Sequence, residues 1–206
     1  MPNRYMRIGR YSESFRRNHY VNQQYNALRR FLTLWPWEWY LTLQFSTRFD
    51  RQIQRVHKTV IEFIRAIAIG ERLQIGGIYV LSAVYGHPHV HMLALGRTSS
   101  PRPVQSLADV RQEHWESDWA FRVRDRRISM IRAARIQPPI EISDVARYIA
   151  GHILPYRSTW AEIVPYNIRL LINLQRESDP EGLRPETQSL IRQISPQMAS
   201  NLGLND

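Results

Sequence analysis

A chain of 206 residues is long enough to bury one sizeable core, and 43% hydrophobic residues set in periodic segments exclude a chain that is disordered through its middle. Its 28 basic residues against 18 acidic ones leave a net charge of +10, carried by arginine with Lys58 as the single lysine; this points either to a polyanionic partner whose phosphates match the guanidinium fork or to a GC-rich coding sequence. With no cysteine, disulfides and thiolate metal sites are excluded, so any metal must be held by histidine or carboxylate, and a reducing compartment is expected.

Residues 1–34 contain seven arginines, one glutamate and four tyrosines, with little sustained apolar periodicity, and read as a basic N-terminal extension. Arg4, Arg7, Arg10, Arg16 and Arg17 alternate with aromatic rings, which suits a single-stranded backbone with stacked bases; a solvated arm is the other reading. The segment lacks the apolar centre of a signal peptide, and no apolar run reaches the roughly 18 residues that span a membrane. A soluble, cytoplasmic protein with no membrane partner is expected.

A globular unit is expected over 35–165. "WYLTLQF" (39–45) is aromatic and β-branched and predicts a buried strand. In "DRQIQRVHKTVIEFIRAIAIG", Asp50 is placed to cap a helix with Ile53, Val56, Val60, Ile64 and Ile67 on one face, ending at Gly70. "LQIGGIYVLSAVY" (73–85) and "HVHMLAL" (89–95) predict two strands joined closely enough to pair as an antiparallel hairpin. "PVQSLADVRQEHWESDW" is a candidate helix, and "ISMIRAARIQ" ends in a strand stopped by Pro138 and Pro139. Ser143 is placed to cap a short helix, "DVARYIAGHIL", that ends before Pro155. From 166 to 206 the chain reads as a C-terminal helical extension and tail.

Three histidines fall within five positions, His87, His89 and His91. Residues two apart on a strand share a face, so His89 and His91 present two imidazoles while Val90 points to the core. At about 3.3 Å per residue, His87 and His91 lie roughly 13 Å apart along the backbone, too far for one ion with bonds of about 2.1 Å. His87 is therefore read as a substrate contact or a surface residue.

"GHPHVHMLAL" resembles the His-hydrophobic-His motif of the HUH endonucleases, especially the form found in rolling-circle replication initiators. "WYLTLQF" is similar to that family's first motif, a threonine-containing strand, and "DVARYIAGHILPY" to its third, a helix bearing a nucleophilic tyrosine. The resemblance spans about residues 37–156. It implies an α+β domain of the split βαβ, RRM-like or ferredoxin-like kind, an antiparallel sheet with helices on one face and the site on the other.

It also implies a metal-dependent endonuclease and strand transferase that nicks single-stranded DNA through a 5′-phosphotyrosine, with Mg²⁺ or Mn²⁺ as cofactor. The implied partners are an origin strand, which can form a hairpin, and host replication proteins of a plasmid or phage. On these motifs His89 and His91 match the metal ligands, Tyr148 matches the nucleophile ahead of Tyr156, and Arg147 beside it joins the DNA-binding arginines.

Two positions depart from the pattern: Gly151 stands where a lysine is common, and "VLSAVY" lacks the glutamate often supplied as third ligand. His152, one helical turn after Tyr148 and on the same face, is the leading replacement, as in single-tyrosine transposases of the class, with Gln44 next. Those transposases are the nearest alternative function. A non-catalytic RRM-like module that binds single strands is the alternative of a different class.

Overall fold

A computed structural model of the protein describes residues 15–45, 53–84, 87–98, 106–123, 134–154, 160–178 and 184–201. Helix α1 (Phe15–Leu32) precedes strand β1 (Trp39–Gln44), helix α2 (Ile53–Gly70) and the strands β2 (Leu73–Val84) and β3 (His87–Thr98). A 3₁₀ turn (Leu107–Asp109) leads to α3 (Gln112–Arg122), β4 (Ala134–Gln137) and α4 (Ile142–Gly151). Strand β5 (Trp160–Tyr166) and helices α5 (Ile168–Ser178), α6 (Pro185–Ile194) and α7 (Pro196–Asn201) follow. No helix among the described residues is long and apolar enough to cross a membrane.

The five strands form one sheet in the order β4-β1-β3-β2-β5, every neighbouring pair antiparallel. Strand β3 lies between β1 and β2, which therefore run parallel to each other and are joined by α2. This is the expected split βαβ arrangement, and α3 with β4 completes an α+β, ferredoxin-like unit. The hairpin register runs from Leu73 opposite Thr98 to Val84 opposite His87, so β3 begins two residues earlier than the pattern predicts.

Alternation along the strands builds two cores. On the first face Trp39, Leu41 and Leu43 of β1 and Val90, Met92 and Ala94 of β3 meet Val56, Val60, Phe63, Ile64 and Ile67 of α2 and Trp119 of α3. On the second face Ile78 and Val80 of β2 and Leu93 and Leu95 of β3 meet Leu28, Phe31 and Leu32 of α1, Ala146, Ile149 and Ala150 of α4, and Leu190 and Ile191 of α6. Helices thus cover both faces, where the sequence predicted one covered face. The second face is apolar at Leu93 and Leu95 but carries His89 and His91 nearer the start of β3, and this polar end is where the site forms.

Three further expectations are corrected. The segment to residue 34 reads in sequence as an extension, yet from Val21 onward α1 presents buried residues at helical spacing, and buried Gln24 donates from Nε2 to the Ile194 carbonyl at 3.2 Å. The segment after 166, expected to be peripheral, places α5 and α6 in the same core. The α4 N-cap is Glu141, without a side-chain cap bond, and Ser143 lies inside the helix.

Strand β5 was not anticipated. Its Pro165 is tolerated because β5 is an edge strand, and its buried Glu162 accepts from His57 of α2 at 2.9 Å while the other His57 nitrogen lies 3.0 Å from the Tyr79 hydroxyl. Asp50, Tyr156, Arg4, Arg7 and Arg10 lie outside the described residues, as do the side chains of Arg16, Arg17 and His87.

Candidate metal centre

Cross-strand neighbours extend the histidine pair into rows on the second face. His91 lies between Thr42 of β1 and Val80 of β2, and beyond Thr42 the row reaches Arg135 of β4. His89 lies between Gln44 of β1 and Ser82 of β2. Helix α4 supplies the rest: with Ala146, Ile149, Ala150 and Ile153 packed into the core, Tyr148 and His152 come to lie against the histidine end of β3.

One nitrogen from each of His89, His91 and His152 lies within 4.8 Å of the other two, close enough for the three to hold a metal ion. The His91 and His152 rings have centroids 4.3 Å apart. His91 is 3% and His152 6% exposed, while His89 is half-buried and forms the open side. No described carboxylate belongs to the cluster.

Hydroxyl groups surround these nitrogens. Ser82 Oγ, fully buried, lies 2.9 Å from His89 Nε2 and 3.2 Å from His152 Nδ1, which are themselves 3.3 Å apart. His91 Nδ1 faces the Tyr40 hydroxyl at 3.1 Å and Thr42 Oγ1 at 3.3 Å. A protonated Nδ1 can donate to these two oxygens, and that tautomer leaves the Nε2 lone pair for an ion.

Electrostatics keeps the His91 ring neutral. Burial, reinforced by the neighbouring His152 and His89, holds the His91 imidazolium pKa well below its ordinary value, so the ring is neutral near pH 7. The Tyr40 hydroxyl is pushed up to about 12, chiefly by burial, with Thr42 and Arg135 acting the other way and Tyr148 adding to the rise. Tyr40 therefore stays a neutral phenol that holds the His91 ring in place.

The Tyr148 ring stands edge-on to His91 and His152, with centroids 5.0 Å and 4.9 Å away. It is 44% exposed. The ring therefore borders solvent while packing against His91 and His152.

The structure thus brings together His89, His91, His152 and Tyr148 from the sequence-derived set. Gln44 lies across the ladder from His89 with its side chain exposed, and Arg147 is exposed and paired with Asp144 at 2.7 Å. Gly151, where the sequence resemblance leads one to expect a lysine, is buried in α4.

Sequence reasoning missed Ser82, Tyr40 and Arg135, and had Thr42 only as part of a motif. A lone hydroxyl inside the apolar run "IYVLSAV" was the available signal for Ser82. Arg135 is exposed on the site's face of the edge strand, and no described acid forms an ion pair with it. Compared with family models, with curated proteins and with solved structures, the chain matches none of them.

Proposed function

We propose that the protein is a metal-dependent endonuclease and strand transferase of the HUH type, nicking single-stranded DNA to initiate rolling-circle replication. The observation that carries this reading is the solvent-bordering Tyr148 ring packed against His91 and His152. The donor set fits a divalent ion: His89, His91 and His152 converge, two of them dry, with hydroxyls to orient His91. When bound, such an ion supplies a Lewis acid that holds a non-bridging phosphate oxygen and offsets its charge.

The chain's own groups do the remainder. The Tyr148 oxygen attacks phosphorus, the bond from phosphorus to the 3′-oxygen breaks, and the phenolic proton ends on the leaving 3′-hydroxyl. The products are a 5′-phosphotyrosine and a primer end, and the reverse attack rejoins a strand. With glycine at 151, the described chain offers no lysine beside the tyrosine; Arg135 on the open edge supplies positive charge for the strand's backbone. His152 on the tyrosine's own helix supports a single-tyrosine transposase, with the same chemistry, as the second reading.

The test is incubation with a labelled library of single-stranded oligonucleotides and Mn²⁺, resolved on a denaturing gel. A covalent adduct is expected, absent with chelator and absent in Tyr148→Phe, which should retain binding. Binding without adduct under every metal condition would reduce the protein to a non-catalytic single-strand-binding module.

A further inference from the structure

We propose that the His89–His91–His152 cluster is built for a first-row transition-metal ion and discriminates against Mg²⁺, and that Ser82 is the residue that sets this choice. The inference rests on the metal-dependent reading of the site and names the class of ion.

Three features of the cluster carry it. Its donors are imidazole nitrogens alone, and no described carboxylate oxygen joins them. Mg²⁺ binds through oxygen, usually one or two carboxylates with retained waters, and surrenders its water reluctantly. Imidazole suits Zn²⁺, Cu²⁺, Fe²⁺ and Ni²⁺, and affinity rises from Mn²⁺ through Co²⁺ and Ni²⁺ to Cu²⁺ before falling at Zn²⁺, so Mn²⁺ is the weakest transition ion for such a site.

Second, the cluster is dry where Mg²⁺ would need water: His91, His152 and Ser82 are all more than nine-tenths buried, so half-buried His89 marks the open side. Three imidazole nitrogens with a single half-buried side leave little room for the several waters that Mg²⁺ retains.

Third, of the two β2 residues that flank the histidines, Val80 beside His91 is apolar and Ser82 is the one that brings an oxygen to the cluster. Ser82 faces His89 across the ladder and contacts both His89 Nε2 and His152 Nδ1. A carboxylate at that position would put an anionic oxygen beside two of the three histidines; the hydroxyl puts a neutral one there. The same register and burial that make Ser82 fit also make it the place where one substitution can change the donor set.

Full-length protein stripped with chelator should be titrated calorimetrically with MgCl₂, MnCl₂, CoCl₂ and ZnCl₂, with Co²⁺ visible absorption as a second readout. Zn²⁺ and Co²⁺ should bind tightest and Mn²⁺ more weakly, with Mg²⁺ weaker than Mn²⁺ by about 100-fold or more. His91→Ala and His152→Asn should each lose the Co²⁺ spectrum, with thermal unfolding confirming that at least one of them folds. Ser82→Asp should strengthen Mg²⁺ binding by about 10-fold, since it adds a hard oxygen donor, while Ser82→Ala should leave Mg²⁺ weak.

Mg²⁺ binding within 10-fold of Mn²⁺, yet lost in the histidine variants, would overturn the selectivity and leave the metal site standing. Ser82→Asp with unchanged Mg²⁺ affinity would remove Ser82 from its role. Binding indifferent to the histidine variants, or no binding of any ion, would overturn both the selectivity and the metal-dependent reading.

Discussion

At the scale of single residues, the site is controlled by groups that touch an imidazole rather than by the imidazoles alone. Tyr40 and Thr42 both face His91 Nδ1, so removing one oxygen leaves the other to hold the tautomer. Tyr40→Phe should therefore cost metal affinity only a few-fold, and Tyr40→Phe with Thr42→Val about 10-fold to 100-fold, the range typical of supporting groups around ligands. Equal losses in the single and double variants, measured by Co²⁺ titration, would show that orientation of His91 does not limit affinity.

The lowered His91 pKa has its own consequence for stability. In the unfolded chain this histidine titrates near its ordinary 6.5, while the folded state resists the proton at that pH. The unfolded state then binds more protons below about 6.5, so the His91 contribution is fully present above that pH and is lost as pH falls through it toward the lower folded value. Metal-free protein should show a melting temperature that declines from about pH 6.5 downward, with a shallower decline in His91→Gln. An identical pH profile in the two proteins would mean that other groups carry the acid sensitivity. His89 and His91 were legible as a pair because strand parity is a local property, and so was the turn from Tyr148 to His152. Ser82, Tyr40 and Arg135 were not, because their roles depend on which strand neighbours which, and register over such sequence distances is not written in any one segment.

At the scale of elements, β2 and β3 must pack closely for the site to form. Gly77 sits opposite Ala94, and a Cβ there would meet the Leu93 carbonyl oxygen and, at 2.6 Å, the Met92 methyl. The methyl could shift, but the carbonyl belongs to the central strand. Gly77→Ala should destabilise the fold by about 1–3 kcal/mol, the usual cost of overpacking, read as a lower denaturation midpoint. It should also weaken metal binding, because the strand that would have to move carries both His89 and His91. Unchanged stability would show that the sheet accommodates the methyl by local rotation. Strand β2 was legible from its long β-branched run, whereas β5 was hidden: Pro165 and Glu162 interrupt its apolar pattern, and only edge placement and the His57 partner make them acceptable.

At the scale of the whole molecule, the N-terminal region joins the core from Val21 onward. Arginines throughout "MPNRYMRIGRYSESFRRNHYVNQQYNALRRFL" make it read as a single basic arm, because arginine and glutamine blur the apolar spacing that marks a helix. The structure shows that Ala27, Leu28, Phe31 and Leu32 are fully buried under the sheet's second face, so the last turns of α1 belong to the core that also positions α4. Two truncations separate the roles. Deleting residues 1–30 should abolish cooperative unfolding, since it strips Ala27 and Leu28 and leaves Phe31 and Leu32 without a helix. Deleting residues 1–14 should leave the fold and the Co²⁺ spectrum intact while removing Arg4, Arg7 and Arg10. If those arginines neutralise phosphates, the slope of log affinity against log salt for a single-stranded oligonucleotide should flatten by about 0.7 for each phosphate no longer neutralised, up to about 2 in all. A slope equal to that of the full chain would remove the arm from the DNA interface, leaving Arg135 and its neighbours on the sheet's open edge to carry the electrostatic part of binding.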